Sequence, residues 1–178
     1  MLQLNYKETS EVSQQKMKIH GQYIKDLSFE NPNSPFLSSK EAPSINVMVN
    51  VNSVKLEGTE GKEEGEKKKS FHEITLHIEA KAMVKNENVK DGVAFICETK
   101  YCGIFSIENP AELSAEEVRQ ALFIGGPTFL FPFAREIIAR ATSSGGFPPL
   151  MLDPIDFEAM YKQQSQQQKS NASNENFN

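Results

Sequence analysis

The side chains with chemistry to offer in this 178-residue chain are three histidines, two cysteines and a set of carboxylates. His20, His72 and His77 are scattered. His72 and His77 stand five residues apart in a run that alternates like a strand, so they point to opposite faces and make poor metal co-ligands; each reads as a surface residue. Cys97 and Cys102 are also five apart in a β-rich run and point opposite ways, which suits neither a zinc knuckle nor an unstrained disulfide. Both read as small buried hydrophobes. No Ser-His-Asp or Cys-His set emerges, and neither a GxGxxG nor a Walker loop offers a phosphate cradle. Asp26, Glu30 and Glu98 could be imagined as an acid–base set, but solvated carboxylates titrate too low for that work near neutrality. The spacing points away from an enzyme, and no cofactor or metal is expected.

Composition narrows the class further. Acidic residues outnumber basic ones, 24 to 19, which argues against a nucleic-acid partner, because such a surface must replace condensed counterions with its own cations. Two cysteines in the whole chain and no signal-peptide pattern suggest a reducing, cytoplasmic setting. No uninterrupted apolar run nears the roughly 18 residues of a membrane span, so direct membrane insertion is not expected.

The elements that must position any site fall in a clear order, strands first and helices last. Residues 22–30 alternate, with Tyr23, Leu27 and Phe29 on one face and Asp26, Ser28 and Glu30 on the other. The turn Asn31-Pro32-Asn33-Ser34-Pro35 ends this strand. Residues 45–51 put Ile45, Val47, Val49 and Val51 on one face; residues 71–84 do the same with Ile74, Leu76, Ile78, Ala80, Ala82 and Val84. After a polar turn from Asn86 to Gly92, residues 93–107 form a fourth run with a bulge expected at Gly103. Hairpin-length loops imply an antiparallel sheet, with residues 31–44 as the one long crossover. Ser114 and Glu117 have capping-box spacing and open a helix that Gly125-Gly126-Pro127 should interrupt. A second segment carries Phe129, Phe133 and Ile137 as a stripe, with Pro132 in its first turn, and stops at Gly145-Gly146. A short last helix begins near Asp156 with Phe157, Met160 and Tyr161 on one side. The fold class is therefore α+β: a four-stranded antiparallel sheet with a long, broken helix and a short C-terminal helix.

Domain limits follow from composition. Residues 1–19 read as a flexible N-terminus and 20–162 as the folded domain. Within it, 56–70 is a charged hairpin loop of mostly Glu, Lys and Gly, too polar to offset the entropy of ordering. Residues 163–178 read as a disordered Gln/Asn-rich tail. The run 93–107 is apolar on parts of both faces, and PTFLFPF is aromatic and broken by proline. That surplus suggests either self-association or an apolar groove.

Residues 21–162 resemble the SecB family of bacterial export chaperones. YIKDLSFENPNSP (23–35), AFICETKYCGIFSI (94–107), GPTFLFPFAREII (126–138) and GGFPPLMLDPIDFEAMY (145–161) carry the resemblance, in that order. It implies an ATP-independent holdase that keeps unfolded precursor polypeptides competent for translocation and delivers them to the SecA motor. It also implies a homotetramer built as a dimer of dimers. Matched motif by motif, the SecA-facing residues fall on Asp26, Glu30, Ile96 and Glu98, with Ile96 where the family has leucine. The client groove falls on Ile45, Val47 and Val49 of the second strand and on Phe157 and Met160 of the last helix. Alternation puts Asp26 with Glu30, and Ile96 with Glu98, which reads as a flat acidic patch with one apolar member. Two other readings stay open: a small oligomeric α+β protein that binds an apolar ligand or serves in an assembly, and a SecB-like chaperone dedicated to a toxin–antitoxin pair.

Overall fold

The computed structural model describes residues 17–33, 43–57, 69–84 and 92–175, with side chains to 167. Most of the 56–70 loop, residues 86–91 of the Asn86–Gly92 turn, much of the 31–44 crossover and residues 1–16 lie outside the described residues. Four long strands, β1 (Met17–Glu30), β2 (Ser44–Leu56), β3 (Lys69–Met83) and β4 (Val93–Glu108), form one antiparallel sheet in the order β1-β4-β3-β2. A 3₁₀ turn at Pro110–Glu112 then leads into the helical layer. The α+β expectation holds; each strand extends past at least one of the limits read from alternation, while β3 stops at Met83, one residue short of its expected end.

The interior strands account for the apolar surplus. On β3, Ile74, Leu76, Ile78, Ala80 and Ala82 are wholly buried, while the residues between them are half-exposed. β4, between β1 and β3, is buried on parts of both faces: Phe95, Cys97, Thr99 and Phe105 toward the helices, Cys102 and Ser106 away from them. Away from the helices, side chains of the flanking strands cover those two residues: Thr75 Oγ1 lies 3.2 Å from Cys102 Sγ, and His20 Nε2 lies 2.8 Å from Ser106 Oγ.

Helix α1 (Ala115–Gln120) begins at the expected cap: Ser114 Oγ accepts from the Glu117 N–H at 3.2 Å, and the Ser114 N–H donates to the Glu117 carboxylate at 2.7 Å. The break expected at Gly125-Gly126-Pro127 does not occur. The chain passes through a π-turn (Ala121–Gly125) straight into α2 (Gly126–Ser144). There the Gly126 N–H reaches back five residues to the Ala121 carbonyl. The wider turn moves the Pro127 ring clear of the carbonyl it would strike in a plain α-helix, so the proline is absorbed rather than breaking the helix. Pro132 likewise lies inside α2, not in a first turn.

Close approach fixes α2 on the sheet. A Cβ on Gly126 would lie 2.3 Å from Ile74 Cδ1, and one on Gly103 would lie 2.6 Å from the Phe105 ring and 2.9 Å from Leu130 Cδ2. Gly103 is therefore not the expected bulge; it pairs regularly with Gln22 and Ile74 and makes room for the helix. Tyr101 and Phe133 stack at 6.2 Å, and Phe105 meets Phe129 edge-on at 6.1 Å. Ala115–Ser144 as a whole is long and apolar enough to cross a membrane, with mean hydropathy 1.3 in its best window, half of which is buried. Packing on the sheet explains that apolarity. α2 ends at Gly145-Gly146, Gly146 taking φ +88°. Thr142, wholly buried, accepts from the Leu150 N–H at 2.9 Å and so fixes the reversal that follows.

The last helix, α3 (Phe157–Glu175), runs past Lys162, where the sequence reads as a disordered tail. Gln and Lys are adequate helix formers once a packed first turn has nucleated the helix, and Lys162 adds an i,i+4 pair to Glu158 at 2.6 Å.

Candidate binding surfaces

The strand register carries the site. On the sheet face away from the helices, Glu30 stands opposite Ile96, Ser28 opposite Glu98, and Asp26 opposite Lys100. The next strand places Lys81 beside Ile96, Glu79 beside Glu98 and His77 beside Lys100. The four residues matched to the SecA-facing set thus share one face, in adjacent rows.

The patch is not simply acidic, as alternation alone suggested. Lys100 Nζ lies 3.1 Å from Asp26 Oδ2 and 3.6 Å from Glu98 Oε1. His77 Nε2 donates to that same Glu98 oxygen at 2.7 Å. Hydrogen bonding to Asp26, and then its charge, raise the Lys100 pKa, so this ammonium stays charged at any physiological pH. Alternation already puts Lys100, two residues past Glu98, on this face; only the register shows that it stands opposite Asp26.

β1 also departs from simple alternation. The register slips at His20 and at Lys25, where one extra residue bulges from the ladder. Tyr23 is therefore on the same face as Asp26, opposite Cys102, and Ile24 joins Leu27 and Phe29 on the helix face. The buried Thr99 hydroxyl donates to the Asp26 carbonyl beside the slip at 3.3 Å. A sequence signal existed: Ile24, Leu27 and Phe29 keep a common face only if one of the polar residues 25–26 is skipped. The slip builds a second network, in which Tyr23 donates to the Glu73 carboxylate and Lys25 Nζ reaches it at 2.6 Å. The hydrogen bond to Glu73 pushes the Tyr23 hydroxyl up to about 12, while Lys25 and Tyr23 together hold the Glu73 carboxyl below its usual range.

The helix side of β2 offers a different surface. Ile45, Val47 and Val49 pair with Ala82, Ala80 and Ile78 and so face the helical layer. That layer meets β2 chiefly through the π-turn, whereas α2 lies over β1, β3 and β4. Ile45 and Val47 consequently remain 40% and 38% exposed despite facing inward, and Val49 is half-buried. Phe157 is not on that strip: at 2% exposure, its ring meets Phe131 edge-on at 6.0 Å within the core. Met160 is half-buried against the same core. Phe123 of the π-turn stacks on Tyr161 at 6.4 Å, and the Tyr161 hydroxyl donates to the Glu116 carboxylate at 3.2 Å. Phe123 and Tyr161 thus dock the last helix. Spacing missed Phe123 because the π-turn displaces it from any regular helical stripe.

The groups first considered for chemistry are otherwise engaged. His72, expected at the surface, is buried, and its Nε2 lies 3.2 Å from Ser70 Oγ. Cys97 and Cys102 are buried on opposite faces; desolvation pushes the Cys97 thiol up to about 11 and raises that of Cys102. Among the described residues no group of three or more His, Cys, Asp or Glu side chains could hold a metal.

Comparison with known proteins agrees with the motifs. Residues 10–168 match the family model for SecB, "Preprotein translocase subunit SecB". The chain is 83% identical over 167 residues to "Protein-export protein SecB" of Wolbachia sp. subsp. Brugia malayi (strain TRS), covering 94% of this chain and 100% of the relative. It is 51% identical over 164 residues to the protein of that name from Ehrlichia chaffeensis, covering 85% and 91%. Among solved structures, the Mycobacterium tuberculosis Rv1957 SecB-like chaperone, in complex with a ChAD peptide from the Rv1956 HigA1 antitoxin, matches with a TM-score of 0.54. That match has 13% identity and covers 80% of this chain and 91% of the other, a likeness of fold. With family motifs, register and sequence identity in agreement, the chain belongs to the SecB family of protein-export chaperones and is not an enzyme.

Proposed function

We propose that this chain holds unfolded precursor polypeptides without nucleotide and passes them to the SecA motor, using opposite faces of one sheet. The observation that carries this reading is the separation of surfaces. An apolar strip at Ile45, Val47 and Val49 is left uncovered on the helix side, while Asp26, Glu30, Ile96 and Glu98 line up on the other side. Extended chains bind such a strip through repeated apolar contacts and main-chain pairing along an edge strand, with little sequence readout. The core position of Phe157 makes it an anchor for the last helix against Phe131, with Met160 nearer the surface a client would meet. A homotetramer, arranged as a dimer of dimers in the cytoplasm, completes the proposal. Exposed Phe129 and Phe133 on α2 and Ile24 and Leu27 on β1 supply apolar surface for such contacts.

The test is a pull-down with purified chain, SecA and a urea-unfolded precursor, together with light scattering. Capture of both ligands and a mass about four times that of one chain are expected. A monomer, or failure to suppress precursor aggregation without nucleotide, overturns the reading. Export rather than an antitoxin is favoured because Asp26, Glu30 and Glu98 match the SecA-facing positions, with Ile96 a conservative replacement, and because the high-identity relatives are named protein-export proteins.

A further inference from the structure

Two of the three acids of the proposed docking face, Asp26 and Glu98, are already partnered within the chain. Lys100 Nζ sits between the Asp26 and Glu98 carboxylates, and His77 holds the same Glu98 oxygen from the other side. Asp26 and Lys100 are substantially exposed, so this pairing is reversible and open to exchange. Any basic group arriving from a partner must therefore displace or outbid an ammonium that is tethered in place.

We infer that Lys100 is an intramolecular counter-ion that competes with the incoming basic residue of the partner and sets how weakly the docking face is held. The inference rests on the docking reading above and adds to it an affinity-determining residue beyond the four matched SecA-facing positions. The geometry supports competition over direct recognition. Lys100 lies in the row next to Glu98 and directly opposite Asp26, and its charge points at those two acids. For a basic partner, that cation subtracts from the attraction of every carboxylate around it, and water and salt screen the subtraction without removing it. A holdase that must let its motor go after each transfer gains from such an attenuated contact, because affinity differences within one interface appear mostly as dissociation rates.

The partner chemistry follows: an exposed segment with at least two cations, spaced to reach Asp26 and Glu98 on neighbouring strands, and with no need for a base opposite Lys100. The probe is SecA, titrated against the full-length protein and its Lys100→Gln and Lys100→Arg variants by calorimetry, at about 0.1 M salt and again at several times that concentration. Lys100→Gln removes the charge at similar size. It should bind roughly three- to tenfold tighter in the dilute buffer, from one unit charge a few ångströms off in a high-dielectric surface setting, and most of the gain should vanish in concentrated salt. Lys100→Arg restores the cation and should lose that gain. Equal or weaker binding by Lys100→Gln, with melting temperature and oligomer mass unchanged, overturns the inference and makes Lys100 either inert or a direct contact. Absence of SecA binding by the parent protein overturns the docking reading itself, a separate result.

Discussion

On the helix side of the sheet, Ile74, Leu76 and Ile78 are wholly buried, while one residue along the same strand Glu73, Thr75 and His77 are half-exposed and engage polar partners. The first face is closed by shape: a glycine where α2 touches β4, rings in edge-on and stacked contact, and no spare volume at either. The second is organised by charge, through pairs that are solvated and exchangeable. The strip on β2 belongs to neither regime. Its side chains have the orientation of the first face and something like the exposure of the second, because the helical layer stops short of that edge strand. Apolar surface facing inward but left uncovered is what a chaperone needs for binding many chains reversibly. Fully packed surface cannot bind, and fully charged surface would select its clients by sequence.

Swapping the character of each region should produce separate losses. The largest effect is expected for Val47→Asp combined with Val49→Asp. Apolar burial of one such side chain is worth about 1.5–3 kcal/mol, so holding of an unfolded client should fall by well over tenfold in an aggregation assay, while the oligomer mass by light scattering stays unchanged. Reversing the charged face (Asp26→Lys, Glu30→Lys, Glu98→Lys) comes next. SecA binding should weaken by about tenfold or more near 0.1 M salt and by less in concentrated salt, with client holding retained. Loss of both activities in either variant would mean that the two faces are one functional unit.

A smaller effect sharpens the claim that the helix face is closed by shape. Gly103→Ala puts a methyl group against the Phe105 ring and Leu130, and should destabilise the fold by about 1–3 kcal/mol in urea unfolding. A neutral result would mean that α2 can lift from the sheet at no cost. The smallest expected effect concerns His72. Burial, and then the nearby Lys55 charge, hold its folded pKa below the ordinary imidazole value. The unfolded chain therefore takes up the proton first as pH falls below about 6.5, so this residue's contribution to stability is present above that pH and is lost progressively on acidification through the window down to the folded pKa. His72→Gln should flatten the fall in melting temperature between about pH 7 and pH 5.5; an unchanged slope would mean that another group carries it.

Alternation exposed much of this arrangement in advance. It places Ile45, Val47 and Val49 together, Asp26 with Glu30, and Ile96 with Glu98, and the β1–β4 register joins the last two pairs on one face. The capping box fixes where the helices begin. What alternation could not supply are the places where the chain carries a residue that regular geometry does not count. Regular alternation counted through Lys25 puts Tyr23 on the wrong face, and the only clue to the slip is the spacing of Ile24, Leu27 and Phe29. Gly125-Gly126-Pro127 reads as a break because a π-turn and a break use the same residue types. Phe157 matches a groove position of the family by motif, yet its burial against Phe131 depends on how α3 docks, which is tertiary information. Lys100 is legible on that face from its spacing to Glu98, whereas its pairing with Asp26 depends on the register of the strand beside it.

The slip at Lys25 has a consequence for length. Because Tyr23 and Asp26 share one face while Ile24 and Leu27 share the other, removing Lys25 altogether would leave Tyr23, Ile24, Asp26 and Leu27 in strict alternation. A one-residue deletion there keeps every flanking side chain on its present face, whereas the same deletion a few residues further along, within 27–30, would turn one flank of the strand inside out. The π-turn at Ala121–Gly125 is not such a point, because shortening it to the i+4 pattern would drive the Pro127 ring against the carbonyl four residues back. Lys25 is thus a point where the sheet can change length by a single residue and keep its faces.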